Sequence, residues 1–300
     1  MKNILLLFLF ILSLFPVLGC TSRKEVGTLE NPIKISLVPG QDAKILVENG
    51  KALEKYLEEK TGLPFEVSVP ANYVAVIEAL GSKRADLAIM NTFGYILAKQ
   101  KYGAEAALTG VYKGRDVYWG QILARKDGPK SLKDLNGKKI AFVDPSSGSG
   151  YVLPTKLLKD ANIKPKEIVF AGGHDSVVSM VYQGRVDAGA TYHTPAEGGV
   201  PQDARRLVMT QYPDVFDKIL IIAKTEPIPN DPVVFRKDFP PELRKTIVDA
   251  FKKMVKEEGG KRIIHDLYFM DDFKDANAKD YDQVEKMLLE IGKSAQDFVH

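Results

Sequence analysis

Cysteine, histidine and net charge are all scarce in this 300-residue chain, and each scarcity closes off a class of function. The single cysteine, Cys20, rules out an intramolecular disulfide. Four histidines and no dense run of His, Asp and Glu leave little from which to build a metal centre; the one grouping on offer is His174 with Asp175, Asp187 and His193. Lys and Arg number 42 against 39 Asp and Glu, a net +3, which gives no electrostatic footing for nucleic acid. No Gly-x-x-x-x-Gly-Lys-Ser/Thr segment is present, so no nucleotide-triphosphate P-loop is expected. Gly148-Ser149-Gly150 is not the Gly-x-Ser-x-Gly nucleophile elbow. A phosphatase or metallohydrolase is therefore the weaker reading, and neither a catalytic residue, a cofactor nor a resident metal is expected.

What is present begins with a leader. Lys2 is followed by an almost wholly apolar run from Ile4 to Leu18, closed by Gly19-Cys20. The run is short for a membrane-spanning helix, which needs about 20 apolar residues, although a retained N-terminal helix stays open. Val17-Leu18-Gly19-Cys20 resembles the lipobox of bacterial lipoproteins, with Val17 where Leu is usual. The resemblance implies that residues 1–20 are a signal peptide and that Cys20 is acylated. The domain is then expected in the cell envelope, anchored to a membrane on its periplasmic or extracellular face. Residues 21–31 are polar and read as a tether.

Beyond the tether the chain alternates strand and helix. Ile33-Lys34-Ile35-Ser36-Leu37 has the period of a half-buried strand, and Leu46, Leu53, Tyr56 and Leu57 recur at helical spacing until Thr61-Gly62 stops them. Phe65 to Val69 returns to alternation, Tyr73 to Leu80 to helix, and Asp86 to Met90 is a short apolar strand. The same series recurs: strand at Lys139–Val143, helix at Gly150–Leu158, strand at Glu167–Phe170, helix at Asp175–Tyr182, strand at Val186–Thr191. This order predicts two α/β units, each with a mostly parallel sheet. Arg84-Ala85-Asp86 in the first matches Arg185-Val186-Asp187 in the second. Thirteen residues before each Asp stand Tyr73 and His174, which places both at the start of the equivalent helix, where ligands of open α/β sheets bind. Asp231 to Phe235 reads as a strand crossing back, followed by helices carrying Leu243, Ile247, Phe251 and Val255, and then Val284, Met287, Leu288 and Ile291. A chain that leaves one lobe, builds another and returns makes a two-strand hinge. The expected division is 32–124 plus 226–300 for lobe 1 and 125–225 for lobe 2.

Asp144-Pro145-Ser146-Ser147-Gly148-Ser149-Gly150-Tyr151 lies between a strand and a helix. Small residues let backbone N–H groups approach an anion, the helix start adds about half a positive charge, and the hydroxyls donate further bonds. An N-capping turn that holds nothing is the competing reading. His174 can donate from its ring, or serve as a cap or a packed side chain.

From about Pro32 to Met270 the chain resembles the phosphate/phosphite/phosphonate-binding proteins of ABC importers, which have the type II periplasmic binding fold. The resemblance rests on Asn72–Leu80, Val117-Tyr118-Trp119, Asp144–Gly150, Gly173-His174-Asp175 and Ile228-Pro229-Asn230-Asp231-Pro232, taken together and in order. It implies two α/β lobes with an interlobe cleft, a monomer, and an ABC permease and ATPase as partners. It also implies that Ser147, the backbone of Gly148, Ser149 and His174 grip a phosphorus oxyanion. Tyr73 would reach across from the other lobe, and Tyr118 and Asp231 would line the side away from the serine loop. Two positions depart from the family. Gly148 stands where Thr is frequent, and Tyr192-His193-Thr194 stands where aminophosphonate binders place a Glu, although Glu197 is near. Tyr118 and Trp119 also suit interlobe packing, and Asp231 suits a turn cap. A carboxylate at Asp231 would repel a fully ionised anion, so it favours an oxyanion with a proton to share, or a cationic substituent, over sulfate. A sensory protein on the same fold remains the alternative to an importer component.

Overall fold

A computed structural model describes residues 25–40 and 42–290. The leader, Cys20, the first four tether residues and Ile291 lie outside the described residues, as does the side chain of Leu288. Among the described residues no helix is long and apolar enough to cross a membrane.

The first series forms β1 (Ile33–Leu37), α1 (Ala43–Thr61), β2 (Phe65–Ser68), α2 (Tyr73–Gly81) and β3 (Leu87–Ile89). Asp42 caps α1 by accepting from the backbone N–H of Lys44 at 2.8 Å, and Gly62, at φ 70°, ends it in the left-handed conformation that a side chain would resist. Leu46, Leu53, Tyr56 and Leu57 are all buried, with Ile33, Ile35 and Leu37 against them. The chain then adds α3 (Thr92–Tyr102) and β4 (Glu105–Val111) before crossing over.

The second series comprises β5 (Val117–Arg125), β6 (Lys139–Phe142), α4 (Leu153–Asp160), β7 (Glu167–Phe170), α5 (His174–Tyr182), β8 (Ala188–His193), the short α6 (Val215–Lys218) and β9 (Ile219–Pro229). The return adds β10 (Pro232–Phe235), α7 (Pro241–Met254), α8 (Glu258–Tyr268), β11 (Asp272–Asp275) and α9 (Asp282–Glu290). Val284 and Met287 of α9 are buried.

Two sheets result, with strand orders β11-β4-β10-β3-β1-β2 and β7-β6-β8-β5-β9. Only part of the expected parallel character is realised. The triplets β2-β1-β3 and β7-β6-β8 are parallel, because a helix connects each pair. β4, β10 and β11 extend the first sheet antiparallel, and β5 and β9 the second. Each sheet is therefore mixed.

The internal match has a structural basis. The N–H of Lys34 donates to the Asp86 carboxylate at 3.0 Å, and the N–H of Asp86 to the Lys34 carbonyl at 2.8 Å. Lys139 and Asp187 repeat this clamp at 2.8 and 2.9 Å. Each clamp ties the last strand of a parallel triplet to the first, and α2 and α5, nine residues each, start at Tyr73 and His174.

The lobes are joined by two adjacent crossings, residues 112–116 and 230–231. Asn230 staples them: its N–H donates to the Asp116 carbonyl at 2.8 Å, and its side-chain amide to the carbonyls of Gly110 and Arg115 at 3.0 Å each. Such a pair of crossings is the hinge of the type II periplasmic binding fold.

Arg236, following β10, bonds Asp86 through Nε at 2.8 Å, with both side chains nearly buried. Asp86→Ala would leave that guanidinium with Asp238 as its remaining carboxylate partner and the Lys34 N–H without its acceptor. It is expected to lower the unfolding free energy by about 1–3 kcal/mol in urea titration; a loss below about 0.5 kcal/mol would mean the clamp is dispensable.

Candidate functional site

The serine loop is shaped by its own hydrogen bonds. Asp144 accepts from the Ser146 backbone at 2.8 Å and from its hydroxyl at 2.7 Å, which spends Ser146 on the turn. The Ser147 hydroxyl accepts from the Gly150 N–H at 3.1 Å. Residues Gly148–Val152 then wind as a π turn that feeds α4. Only glycine fits at 150, where a Cβ would lie 2.4 Å from Cγ2 of Val143. The capping reading of the loop is thus correct for Ser147, and it does not exclude the anion reading.

The lobes meet here. The Asn91 amide donates to the Ser146 carbonyl at 2.8 Å, and the His174 N–H lies 3.5 Å from the Gly40 carbonyl. The Tyr73 phenol faces the Ser147 hydroxyl across the cleft, and Tyr118, on β5 of the second sheet, faces Ser149 within its own lobe; each serine restrains the rise of its phenol's pKa. Between them is a cavity of about 120 Å³. Small-molecule pockets commonly run to about 300–1,000 Å³, so the space suits an occupant of few heavy atoms.

Tyr73, Tyr118, Ser147, Ser149, His174 and Asp231 all line this cavity. Gly148 does not: it is buried at the start of the π turn, its Cβ direction 3.5 Å from Phe93. Trp119 also stays out and pairs edge-on with His193, whose Nδ1 is 3.0 Å from Oε1 of Gln121. With Asp187 clamped to Lys139, the grouping of His174, Asp175, Asp187 and His193 does not come together, and no such metal cluster exists among the described residues. Thr194 lines the cavity, whereas Glu197 is exposed and pairs with Lys113.

Burial shifts several of the site's ionisable groups towards their neutral forms. His174 is 7% exposed, and burial pushes its imidazole down to about 3. Its Nδ1 is buried with no hydrogen-bond partner. Burial pushes the Asp231 carboxyl up to about 7, against the opposing effect of the Thr92 N–H it accepts. Asp231 thus faces the N-terminus of α3 and is not seen capping its own turn. The phenols of Tyr73 and Tyr118 are raised well above their usual range, by burial first and then by nearby carboxylates. These two phenols, the two serines and the imidazole form a set of neutral donors.

Sequence reasoning missed part of the wall. Asn91, Tyr112, Tyr192, Arg206 and Tyr268 also line the cavity. Asn91 and Tyr268 bond the backbone at Ser146 and Val38, so they shape it. Arg206 sits in a 3-10 turn, Ala204–Val208, with no periodicity to mark it.

The comparisons with known proteins agree on the family. The family described as ABC transporter, phosphonate, periplasmic substrate-binding protein matches residues 35–281. The phosphate-import protein of Mycolicibacterium smegmatis is 32% identical over 177 residues, 54% of this chain and 55% of that protein, so the chain spans about half of that relative's length. The phosphonates-binding periplasmic protein of Escherichia coli is 22% identical over 264 residues, covering 85% of this chain and 75% of that one. Two solved structures share the fold. A binding protein component of an ABC phosphonate transporter from Pseudomonas aeruginosa has a TM-score of 0.76 at 19% identity, covering 86% of this chain and 85% of that one. A Prochlorococcus marinus protein in complex with methylphosphonate has 0.74 at 18%, covering 87% and 98%. With a family match running from β1 to the edge of α9 over a two-sheet, hinged architecture, this chain belongs to the periplasmic substrate-binding proteins of ABC phosphonate transporters.

Proposed function

We propose that the protein captures a small phosphonate between its lobes, outside the cytoplasm, and delivers it to the permease and ATPase of an ABC importer. The observation that carries the reading is the buried, unpartnered Nδ1 of His174, a residue lining the interlobe cavity that Ser147, Ser149, Tyr73 and Tyr118 also line. A buried polar atom without a partner costs about 1–3 kcal/mol, and an oxyanion would relieve that cost. Ser147, Ser149 and His174 grip the phosphoryl oxygens, with the N–H of Gly148 aiding from below the surface. Tyr73 closes from the opposite lobe, and Tyr118 and Asp231 line the remaining side.

The lobes are taken as divided at the two crossings rather than at 124/125 and 225/226, because β5 and β9 lie wholly in the second sheet, and the protein as a monomer anchored through a lipid on Cys20. Phosphonate is favoured by the family, whose description names that ligand, and by the methylphosphonate complex of the Prochlorococcus protein. Phosphite and phosphate share the headgroup and are the competing cargoes; the Mycolicibacterium relative is named for phosphate.

Asp231 changes the expected discrimination against sulfate. With its carboxyl near 7 it carries its own proton for part of the time at neutral pH, so repulsion alone is a weaker filter than a fully ionised carboxylate would make it. Its protonated form donates to the anion and its ionised form repels it, so binding raises its pKa further. Affinity is therefore greatest below pH 7 and falls above it, by at most about tenfold per pH unit from this one group.

Calorimetric titration of the soluble domain with methylphosphonate, phosphite, phosphate and sulfate tests the reading. Micromolar or tighter binding of methylphosphonate is expected, and silence across the phosphorus series would overturn it. Ser149→Ala should weaken methylphosphonate binding by about 1–3 kcal/mol without unfolding the protein, since it removes a donor to a charged acceptor. Wild-type affinity in that variant would take the serine loop out of the site. Asp231→Asn should flatten the decline in affinity between pH 7 and 9; equal slopes in the two proteins would exclude the carboxyl as its source.

A further inference from the structure

Arg206 is the cation of the cavity wall, and nothing among the described residues neutralises it. Its neighbour Arg205 is bound to Asp203 at 2.8 Å, with both side chains buried, so the two arginines play different parts. Arg206 has no carboxylate within ion-pair distance among the described residues. One Nη donates to the neutral amide oxygen of Gln202, which also accepts from the Tyr112 hydroxyl at 2.9 Å. The guanidinium carbon sits 3.5 Å from the ring centroid of Phe269 in the other lobe, so the group is pinned from two sides. Its Nε is buried and has no hydrogen-bond partner.

Beside it, the Tyr192 hydroxyl is likewise buried and unpartnered. Burial pushes that phenol up to about 12, with the charge of Arg206 and the approach of its guanidinium N–H restraining the rise, so the two groups lie against each other although neither buried atom reaches hydrogen-bond geometry. The Tyr192 ring stands 5.0 Å from that of His174, edge-on, so Tyr192 lies between the imidazole and the guanidinium. The imidazole itself is lowered by burial alone, with no cation contributing, which agrees with a guanidinium set apart from the phosphoryl end. The wall thus presents two clusters of unsatisfied donors: His174 at one place, and Tyr192 with Arg206 at another.

We propose that Arg206 and Tyr192 form a second subsite that takes an acceptor group on the substituent of the phosphonate, and that the preferred ligand class is a short phosphonocarboxylate. This rests on the phosphonate reading given above and deepens it. The Nε–H of Arg206 and the O–H of Tyr192 each donate to a carboxylate oxygen, a charge-assisted arrangement that a methyl group cannot use and an ammonium group would oppose. Thr194, a neutral residue, lines the same cavity. Stacking on Phe269 holds the guanidinium plane in place before the ligand arrives, which reduces the entropy lost on binding.

The test is a competition calorimetry series on the soluble domain with phosphonoacetate, 3-phosphonopropionate, methylphosphonate and 2-aminoethylphosphonate, repeated on Arg206→Gln, Arg206→Lys and Tyr192→Phe. In the wild-type protein one of the two carboxylated ligands should bind roughly ten- to a hundredfold more tightly than methylphosphonate, and 2-aminoethylphosphonate more weakly than either. In Arg206→Gln the ratio of carboxylated ligand to methylphosphonate should collapse towards one, with partial recovery in Arg206→Lys. If wild type binds methylphosphonate and shows no preference for a carboxylated ligand, the subsite is wrong and the phosphonate reading stands. Should Arg206→Gln weaken all four ligands in equal proportion, Arg206 is an interlobe clasp on Phe269 and the subsite is again wrong. If no phosphorus compound binds wild type, both readings fall together. Thermal unfolding of each variant identifies one that does not fold, in which case the Tyr192→Phe ratio, expected to drop severalfold, decides.

Discussion

Two helix starts must face each other across a gap small enough for single hydroxyls to bridge it, and most of the molecule serves that requirement. α2 and α5 each begin on the residue that enters the cavity, Tyr73 in one lobe and His174 in the other. Their positions are set by the carboxylate clamps of Asp86 on Lys34 and Asp187 on Lys139, which tie together the strands beneath them. The relative placement of the lobes is set by the crossings, where Asn230 bonds three backbone groups of the opposing segment. The ligand-facing Asp231 is the very next residue. A hinge that carries a site residue couples closure to occupancy directly, because a change of backbone angle at 230–231 moves the carboxyl as well as the lobe.

The electrostatics of the cavity follow from burial more than from charge. An imidazole at about 3, a carboxyl at about 7 and phenols raised above their usual range make the phosphoryl end close to neutral at physiological pH. A neutral set of donors costs less to desolvate than one built on paired ions, which leaves Arg206, held against Phe269, as the one cation among the described lining residues. The anion then supplies the charge, and each donor bonded to it gains the strength of a charge-assisted bond in low dielectric. The helix start at His174 adds a fixed partial positive charge without a side chain to titrate.

Much of this was legible in the sequence, for identifiable reasons. Ile33–Leu37 and α1 alternate or repeat cleanly because each buries one face, and the clamps left a trace because both need an Asp one strand-start away from its partner. What the sequence concealed has the opposite character. Thr92 to Ala98 of α3 is buried all round, so it carries no amphipathic period to read. β9 is half-exposed along most of its length, with no alternation, and α8 and β11 pass without a motif. The serine loop was readable as an anion-binding turn, yet its π winding was not. That winding depends on a contact between Gly150 and Val143 that no local pattern encodes. Tyr192 and Arg206 were invisible for a related reason: their significance lies in what they lack, a partner, and an unmet hydrogen bond appears only when the surroundings are known.

That same property separates the two halves of the cavity. At the serine loop, Tyr73 faces Ser147 from the other lobe and Tyr118 faces Ser149 from the same lobe, so each hydroxyl has a neutral group of either role beside it. At Tyr192 and Arg206 the hydroxyl and the guanidinium are both donors and lie against each other, and neither buried atom reaches hydrogen-bond geometry. An acceptor placed between them would take a bond from each. The two groups also stand on different elements: the serine loop and the start of α5 carry the first, and Tyr192 on β8 with Arg206 on the 3-10 turn the second, so a substitution in one need not disturb the other.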